Sequence, residues 1–432
     1  MAASSGNWPR PTGIPSAEGL ARCVHCGLCV TSCPTYIITG LETESPRGRI
    51  YLAQAVSEGR LAITPAVQAH WDLCLQCRAC EAVCPSSVPY GQIIERVRAQ
   101  VAAGGPSGRL RRRMRRLLLR NVVARPRALS LLSGPIRLYA RLPLRGALRK
   151  SGMLRLLGRL GQLEAQLPSR LGRPFRPGDD LPHPAIARGE ALLFAGCIMS
   201  ELFGDVHRAT GRVLARNGIA VRAPEGQVCC GALHAHDGDL EFAQRLARRN
   251  IEAFEREPGA PIVLNSAGCG AAMKEYGELL AEDPRFAGRA ARFAARVVDL
   301  TEFLASLGAE VPARFSGTVT YQDPCHLAHA QRITEQPRQL LRGIQGCDLV
   351  ETPGADTCCG AAGLYGLLQP AMSGALRSRK AAELRQYNAG VVVTANPGCQ
   401  LQLEAAAREA GQGARVMHIA ELLDEAYRRA DE

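Results

Sequence analysis

The sequence has few aromatic side chains and almost no lysine. Aromatic residues make up 5% of the 432 residues, and only three of the 53 basic residues are lysines. Nucleic-acid-binding surfaces combine a basic patch with interleaved aromatics, so the net charge of +13 does not by itself indicate that function. We therefore expect no nucleic-acid partner and expect most arginines to be solvated.

Long apolar runs and a secretory start are absent as well. No stretch of the sequence approaches the roughly 18 apolar residues that cross a bilayer. The opening MAASSGNWPRPTGIPS has neither the basic start nor the apolar core of a secretory signal. We therefore expect a cytoplasmic protein. In that reducing compartment the 17 cysteines indicate metal ligands rather than disulfides.

Nucleotide-binding signatures are missing too. The sequence contains neither the glycine-rich dinucleotide fingerprint nor a P-loop. The chain therefore offers no obvious site for a flavin or another nucleotide, and any flavin chemistry is expected in a partner.

Two cysteine motifs of identical spacing stand out near the N-terminus. Each reads C-x2-C-x2-C-x3-C-P, at 23–34 and at 74–85. This is the bacterial 4Fe-4S pattern, in which the fourth cysteine binds the other cluster, because three thiolates on one tight loop leave a distant corner of the cubane open. Zinc, which typically uses two short cysteine pairs, is the alternative. The predicted sets are Cys23, Cys26, Cys29 and Cys84 for cluster 1, and Cys74, Cys77, Cys80 and Cys33 for cluster 2.

The segment between the two motifs predicts helices. Ser45-Pro46 and Thr64-Pro65 each place a capping residue before a proline that suits the first helical position. We expect helices near 46–58 and 65–73, the first ended by Gly59. The cluster domain is therefore predicted to be an α-helical ferredoxin domain rather than a compact sheet.

A basic segment without cysteine occupies the middle of the chain. Residues 109–120 set a cationic face against Leu110, Met114, Leu117 and Leu118. Such a helix can lie on an anionic membrane surface. The alternative is a linker helix whose apolar stripe packs on the protein while its arginines are solvated or pair with a partner.

The second half of the chain is duplicated. The repeated cysteines are Cys197, Cys229, Cys230 and Cys269 in the first copy, and Cys325, Cys358, Cys359 and Cys399 in the second. The offsets between them are 128, 129 and 130 residues, and each adjacent pair is followed by a glycine. An internal duplication of this kind predicts two copies of one structural unit.

Each copy reads as a parallel sheet with crossover helices. The lone cysteines follow short apolar runs, ALLFAGC, PIVLNSAGC, TVTYQDPC and VVVTANPGC, and helical stretches near 238–257 and 371–387 separate such runs. Ligands gather at the carboxyl ends of parallel strands. We therefore expect each copy to collect its four thiols at one sheet edge, as a candidate additional redox or metal site.

Three interpretations remain open for these eight cysteines. They could hold an iron-sulfur or related redox site, since soft thiolates select such metals. Structural zinc and a redox-active dithiol at each adjacent pair are the other two. Cys347 has no counterpart in the first copy and is expected to be a buried thiol. The histidines near these loops, including His236 and His326, are expected to be structural.

The motifs together resemble a known family. ARCVHCGLCVTSCPTY, SPRGRIYLAQAV, LCLQCRACEAVCPSSVPYG, the two CCGA turns, SAGCGAAMKEYG and VVVTANPGCQ look like the iron-sulfur subunit of bacterial glycolate oxidase. Similar subunits occur in lactate-utilisation, anaerobic glycerol-3-phosphate dehydrogenase and heterodisulfide reductase systems. Heterodisulfide reductase subunits end each repeat in C-x2-C, whereas Ala272 and Gln402 occupy those second positions here, which favours a simpler site of four cysteines or none.

The resemblance implies a division of labour. Separate FAD-binding subunits would oxidise glycolate to glyoxylate, and this chain would carry the electrons onward to a membrane acceptor such as quinone. It would lie in the cytoplasm, peripherally on the cytoplasmic face of the inner membrane. The alternatives are a subunit of a lactate-utilisation or glycerol-3-phosphate dehydrogenase complex, or a heterodisulfide-reductase-like catalytic subunit that works at the Cys-Cys-Gly sites.

The expected fold class is α plus α/β. We predict four segments: an α-helical ferredoxin-like domain with two 4Fe-4S clusters at 1–100, a basic helical linker at 101–188, and two cysteine-rich repeats with parallel sheets at 189–312 and 313–432.

Overall fold

The computed structural model of the protein describes residues 6–141, 171–308, 312–411 and 413–432, with residues 158, 164 and 167. In these ranges the chain forms a helical N-terminal domain, two linker helices and two parallel four-stranded sheets covered by helices. The predicted α plus α/β fold class is confirmed. The four predicted segment boundaries stay a prediction.

The N-terminal domain is helical because its capping residues and prolines act where the sequence places them. Ser45 Oγ accepts a hydrogen bond from the Gly48 N–H at 3.0 Å, and Thr64 Oγ1 accepts one from the Val67 N–H at 3.3 Å. Both predicted helices are confirmed. The helices are α1 Ala17–Ala21, α2 Pro34–Thr39, α3 Pro46–Ser57, α4 Pro65–Asp72, α5 Ala79–Ala82 and α6 Tyr90–Gly104, with a 3-10 turn at Glu42–Glu44.

Two tryptophans form the centre of this domain. Trp71 is fully buried and stacks on Trp8, with ring centroids 5.9 Å apart. The Trp71 indole N–H donates to the Arg49 carbonyl at 3.2 Å, which ties α4 to α3. Because α3 and α4 connect the two cysteine motifs, this packing fixes the two motifs relative to one another.

The linker comprises α7 Arg109–Leu118, a π-helical turn Leu119–Val123 and α8 Pro126–Arg141. Several of its arginines point inward: Nε and Nη2 of Arg120 each lie 2.6 Å from the Asp239 carboxylate, and Arg115 lies 2.5 Å from Asp237. The apolar side chains point outward instead, from α7 (Leu110, Met114, Leu117 and Leu118) and from α8 (Leu131, Leu132 and Leu138).

The expectation that the apolar stripe of this helix packs on the protein is therefore wrong. Asp237 and Asp239 are buried carboxylates of the first repeat. A buried carboxylate without a charged partner costs more free energy than an exposed leucine side chain does. The aspartates thus turn the cationic side of α7 toward the protein. We call the seven outward apolar side chains the linker apolar face.

The first repeat forms one parallel sheet with strand order β2-β1-β3-β4. Its strands are β1 Gly189–Leu193, β2 Ile219–Arg222, β3 Ile262–Leu264 and β4 Val297–Asp299. Its helices are α9 Ile198–Leu202, α10 Gly204–Arg216, α11 Ala232–His236, α12 Leu240–Phe254, α13 Ala267–Lys274, α14 Tyr276–Leu279, α15 Ala287–Arg296 and α16 Leu300–Ser306. The parallel strands and crossover helices inferred from the sequence are confirmed.

The second repeat has the same topology, with strand order β6-β5-β7-β8. Its strands are β5 Arg314–Tyr321, β6 Gln345–Leu349, β7 Val391–Thr394 and β8 Arg415–His418. A π-helical turn spans His326–Ala330, and the helices are α17 Glu335–Arg342, α18 Tyr365–Leu368, α19 Pro370–Tyr387, α20 Pro397–Ala410 and α21 Ile419–Asp431.

The two repeats share one hydrophobic core. Buried side chains from both sheets belong to a single cluster. Helix α10 of the first repeat packs on α21 of the second, and α16 of the first packs on α17 of the second. Arg212 bonds both carboxylate oxygens of Asp424 at 2.8 Å across the first of these contacts. The reciprocal pairing is that of a pseudo-twofold dimer within one chain.

None of the helices in the described ranges is long and apolar enough to span a bilayer.

Candidate iron-sulfur centres and cysteine sites

The structure brings together the four cysteines predicted for cluster 1. Cys23, Cys26, Cys29 and Cys84 line one cavity between the first motif and the end of the second. Cys26 is exposed and the other three are half-buried. Burial raises the pKa of Cys29 to about 11 and also raises that of Cys23. These thiols therefore keep their protons until a metal displaces them.

Both cysteine loops use the same backbone conformation. His25 and Gln76, each two residues after the first cysteine of its motif, have φ of 55°. Gly27 and Arg78, two residues further on, are also left-handed. The Gln76 N–H consequently donates to the Cys74 sulfur at 3.4 Å. Hydrogen bonds of this kind to cluster sulfurs raise the reduction potential.

The cysteines predicted for cluster 2 are also gathered, and all four are buried. Cys33 lies close enough to Cys77 and Cys80 of the second motif to act on both electrostatically. Burial raises the pKa of Cys77 and of Cys80 well above the usual range. The Tyr90 hydroxyl lies 3.5 Å from the Cys74 sulfur.

A buried arginine accompanies this second set. The Arg49 guanidinium lies 3.9 Å from the Cys33 sulfur and 2.6 Å from the Glu44 carboxylate. Thr35 Oγ1 accepts from Arg49 at 3.1 Å. Arg49 is 2% exposed, so its charge acts through protein rather than water. Sequence reasoning missed Arg49, although a basic residue three positions after the helix-starting Pro46 was visible.

The second set of cysteines lies directly against the second repeat. Cys77 belongs to the same buried cluster as Cys325 and Cys358. The Tyr365 hydroxyl donates to the Leu73 carbonyl at 2.7 Å, immediately before Cys74. The exposed first set, the buried second set and the thiols of the second repeat therefore follow one another in space.

Each repeat collects its four cysteines at the carboxyl ends of its strands, as expected. In the first repeat Cys197 lies 3.6 Å from Cys229, and Cys230 lies 3.3 Å from Cys269, sulfur to sulfur. In the second repeat Cys325 lies 3.9 Å from Cys358, and Cys359 forms a hydrogen bond with Cys399. The two cysteines of each adjacent pair therefore contact different lone cysteines.

These thiol pairs have unequal acidities. The hydrogen bond with Cys197 lowers the pKa of Cys229 well below its usual range, and the hydrogen bond with Cys358 lowers the pKa of Cys325. A readily ionised thiol is the form that binds soft metals and that attacks disulfides. The acidity of these thiols therefore suits both a thiolate-ligated redox site and a redox-active dithiol.

No three Cys, His, Asp or Glu side chains in the described ranges are arranged to hold one metal ion. The Gly231 and Gly360 turns bring the Cys-Cys pairs against neighbouring helices: a Cβ at Gly360 would lie 2.9 Å from the Leu376 Cβ.

Cys347, expected to be buried, is half-buried on β6, where partial burial raises its pKa.

Comparison with known proteins agrees with this arrangement. Residues 19–88 match the 4Fe-4S dicluster domain, residues 191–274 and 319–404 match the cysteine-rich domain, and residues 110–167 match the linker region of glycolate oxidase iron-sulfur subunits. The chain is 38% identical to the probable glycolate oxidase iron-sulfur subunit of Bacillus subtilis, over 94% of both chains. It belongs to the family of glycolate oxidase iron-sulfur subunits.

Two further relatives define the breadth of this family. The glycolate oxidase iron-sulfur subunit of Escherichia coli is 35% identical over 95% of both chains. Lactate utilization protein A of Bacillus velezensis is 32% identical over 54% of this chain and 98% of its own length. The chain is thus an electron-transferring iron-sulfur protein, and its N-terminal domain is of the kind that holds two 4Fe-4S clusters.

The residues present fit such clusters. Each N-terminal set offers four thiols, and thiolate is the ligand that 4Fe-4S clusters require. A bound cluster supplies one-electron transfer, while the surrounding residues set its potential through charge, burial and hydrogen bonds to sulfur.

Proposed function

We propose that this chain is the electron-transferring subunit of a glycolate oxidase complex. FAD-binding partner subunits oxidise glycolate to glyoxylate, and electrons pass through this chain to a membrane quinone. The chain would work in the cytoplasm, peripherally on the inner membrane. The observation that carries the proposal is the continuous series from the exposed Cys26 through the buried second set to Cys325.

We propose the crossed ligand sets for the two clusters. Cys23, Cys26, Cys29 and Cys84 hold cluster 1, and Cys74, Cys77, Cys80 and Cys33 hold cluster 2. The shared cavity of the first set and the action of Cys33 on Cys77 and Cys80 support this assignment.

Electrons enter at cluster 1 in this proposal. Its surroundings expose Cys26 and a rim of apolar side chains that a partner subunit can cover: Val24, Leu28, Leu41, Tyr51 and Val83. Cluster 2 then passes electrons inward, because its cysteines are buried and contact the second repeat.

Iron analysis with EPR of the anaerobically purified protein tests the cluster content. We expect about eight irons per chain from the two cubanes. Cys33→Ala should abolish the cluster 2 signal and leave cluster 1, and Cys84→Ala should do the reverse. If each variant instead lost the cluster of its own motif, the crossed assignment would be wrong.

We propose that the eight cysteines of the repeats form a further iron-sulfur site. The packing of Cys325 and Cys358 with Cys77 of the second motif supports a redox role over a purely structural one. Irons beyond the eight of the N-terminal domain, lost in Cys230→Ala and Cys359→Ala, are the expected result. Zinc in place of iron, or a dithiol that traps an alkylating agent without metal, would refute it.

A second candidate function is supported by the match to lactate utilization protein A. In this case the chain serves a lactate or glycerol-3-phosphate complex, or acts itself at the Cys-Cys-Gly sites as heterodisulfide reductases do. The native complex, purified through a tag on this chain, should reduce an artificial acceptor with glycolate. Turnover with lactate or glycerol 3-phosphate alone would favour the second candidate. Cys229→Ala and Cys358→Ala variants with normal electron flow to the acceptor would exclude catalysis at these sites.

A further inference from the structure

One cavity of about 380 Å³ lies where the N-terminal domain meets both repeats. Its walls include Gln76 from the cluster 2 loop, Cys230 from the first repeat and His326, the neighbour of Cys325, from the second repeat. The volume falls within the range of small-molecule sites, about 300 to 1,000 Å³. Cys230 therefore borders the cavity directly, and Gln76 and His326 bring the chain next to Cys77 and Cys325 to its other walls.

Two hydrogen-bond donors in its walls have no partner in the protein. Gln76 is 4% exposed, and its side-chain nitrogen makes no hydrogen bond. His326 uses Nδ1 toward the Cys325 sulfur at 3.6 Å, and its buried Nε2 is likewise unpartnered. A buried donor without a partner is unfavourable, so both atoms favour a ligand with acceptor oxygens.

The charged residues of the cavity largely neutralise each other. Arg78 binds Glu81 and Glu275, Arg120 binds Asp239, and His236 lies 3.0 Å from Glu95. The lining carries five arginines and six carboxylates in all, so the cavity favours a ligand without a large net charge. The His236 and His326 rings lie 5.5 Å apart and offer aromatic surface beside the free Nε2. The matching ligand is neutral, carries carbonyl oxygens and is partly aromatic or planar.

One wall of the cavity belongs to the linker. Arg116 and Arg120 line it from α7 and the turn that follows. The opposite side of the same helix carries the linker apolar face, with Met114 and Leu117 more than half exposed. A ligand that arrives from a lipid surface would thus meet the cavity next to an apolar face.

We propose that this cavity binds the head group of a quinone, whose carbonyl oxygens accept hydrogen bonds from Gln76 Nε2 and His326 Nε2. This inference rests on the proposed function and gives it a site within the chain. Two electrons arrive singly from the partner flavin through the iron-sulfur sites, two protons come from water, and the quinone is reduced to the quinol. The loop that would hold cluster 2 forms one wall through Gln76, so the cluster could pass electrons to the head group without a further carrier.

Anaerobic calorimetric titration of the holoprotein with decylubiquinone tests the site. Gln76→Met keeps the length of the side chain without its donor, and Ala272→Leu fills the cavity from α13. We expect each to weaken binding at least tenfold with unchanged iron content. Ala294→Leu, on a helix that does not line the cavity, is the matched control and should bind as the wild type does.

The outcomes separate this site from the function on which it rests. Unchanged quinone affinity in both variants, or no binding by the wild type because the donors hold only water, overturns the site. Tighter binding of glycolate than of decylubiquinone also overturns it. If glycolate fails to reduce even a soluble dye through the complex, the proposed function fails first. Dye reduction that persists while quinone binding is lost in the variants supports both.

Discussion

Arg49 should set the potential of cluster 2. Its guanidinium lies 3.9 Å from the Cys33 sulfur, and the side chain is 2% exposed. A unit charge at this distance contributes about 4 kcal/mol at an effective dielectric constant of 20, and about 2 kcal/mol at twice the distance, nearer the centre of the cluster. For a one-electron couple these energies correspond to roughly 170 and 90 mV. Arg49→Gln should therefore lower the midpoint potential of cluster 2 by about 100 mV or more.

EPR-monitored redox titration of the purified protein measures this shift. Arg49→Lys keeps the charge and should restore most of the potential. Glu44→Gln added to Arg49→Gln removes both charges of the pair, which lie 2.6 Å apart, and should leave a much smaller shift. Arg47→Gln is the matched control: Arg47 lines the cavity of cluster 1, so its loss should affect that cluster and not cluster 2.

A cluster 2 potential that stays unchanged in Arg49→Gln, with full iron content, would refute the electrostatic reasoning. A shift confined to the potential of cluster 1 would refute the crossed assignment instead. Arg49 lies beside Cys33, so such a shift would mean that Cys33 binds cluster 1. Iron content must accompany the titration, since removal of one member of a buried ion pair costs about 3 to 5 kcal/mol of stability.

Three further predictions concern stability and surfaces. Burial lowers the pKa of His207 to about 3 and of His418 to about 4, both below the value of about 6.5 in an unfolded chain. The free energy of unfolding should therefore fall as the pH drops from 6.5 toward 4, by about 1.4 kcal/mol per pH unit for each histidine. Thermal melting of His418→Asn should show a shallower pH dependence than that of the wild type, and an equal slope would contradict this prediction. Asp239→Asn combined with Arg120→Gln in a double-mutant cycle should give a coupling energy of about 1 to 3 kcal/mol, measured by denaturant unfolding, since Arg120 bonds the buried Asp239 with both nitrogens; a coupling near zero would show that solvent replaces the pair. Serine at Leu110, Met114 and Leu117, which are exposed, should reduce sedimentation with anionic liposomes, whereas glutamine at the exposed Arg111 should have a smaller effect, and equal binding by all variants would exclude this face as a membrane contact.

Local signals made most of the fold predictable. Ser45-Pro46 and Thr64-Pro65 start the helices they were expected to start, because capping depends on neighbours within three residues. The strands and the gathering of Cys197, Cys229, Cys230 and Cys269 followed from apolar runs and from the rule that parallel strands end at one edge.

Features that depend on distant partners could not be predicted in this way. The orientation of α7 depends on Asp237 and Asp239 of the first repeat. Asp239 lies 119 positions along the chain from its partner Arg120. The free nitrogens of Gln76 and His326 were invisible for the same reason, since a missing partner is a property of the packed interior. Their residue types alone indicate only a polar side chain near a cysteine.

The shared core of the two repeats carries a consequence for how such a protein can arise. A single repeat, separated from the other, would expose the faces of α10 and α16 that the second copy covers, and two identical copies could cover each other about a twofold axis. Fusion into one chain makes that pairing independent of concentration. It also frees the two copies from identity, so that the second copy can place Cys325 against Cys77 and carry Cys347, which has no counterpart in the first.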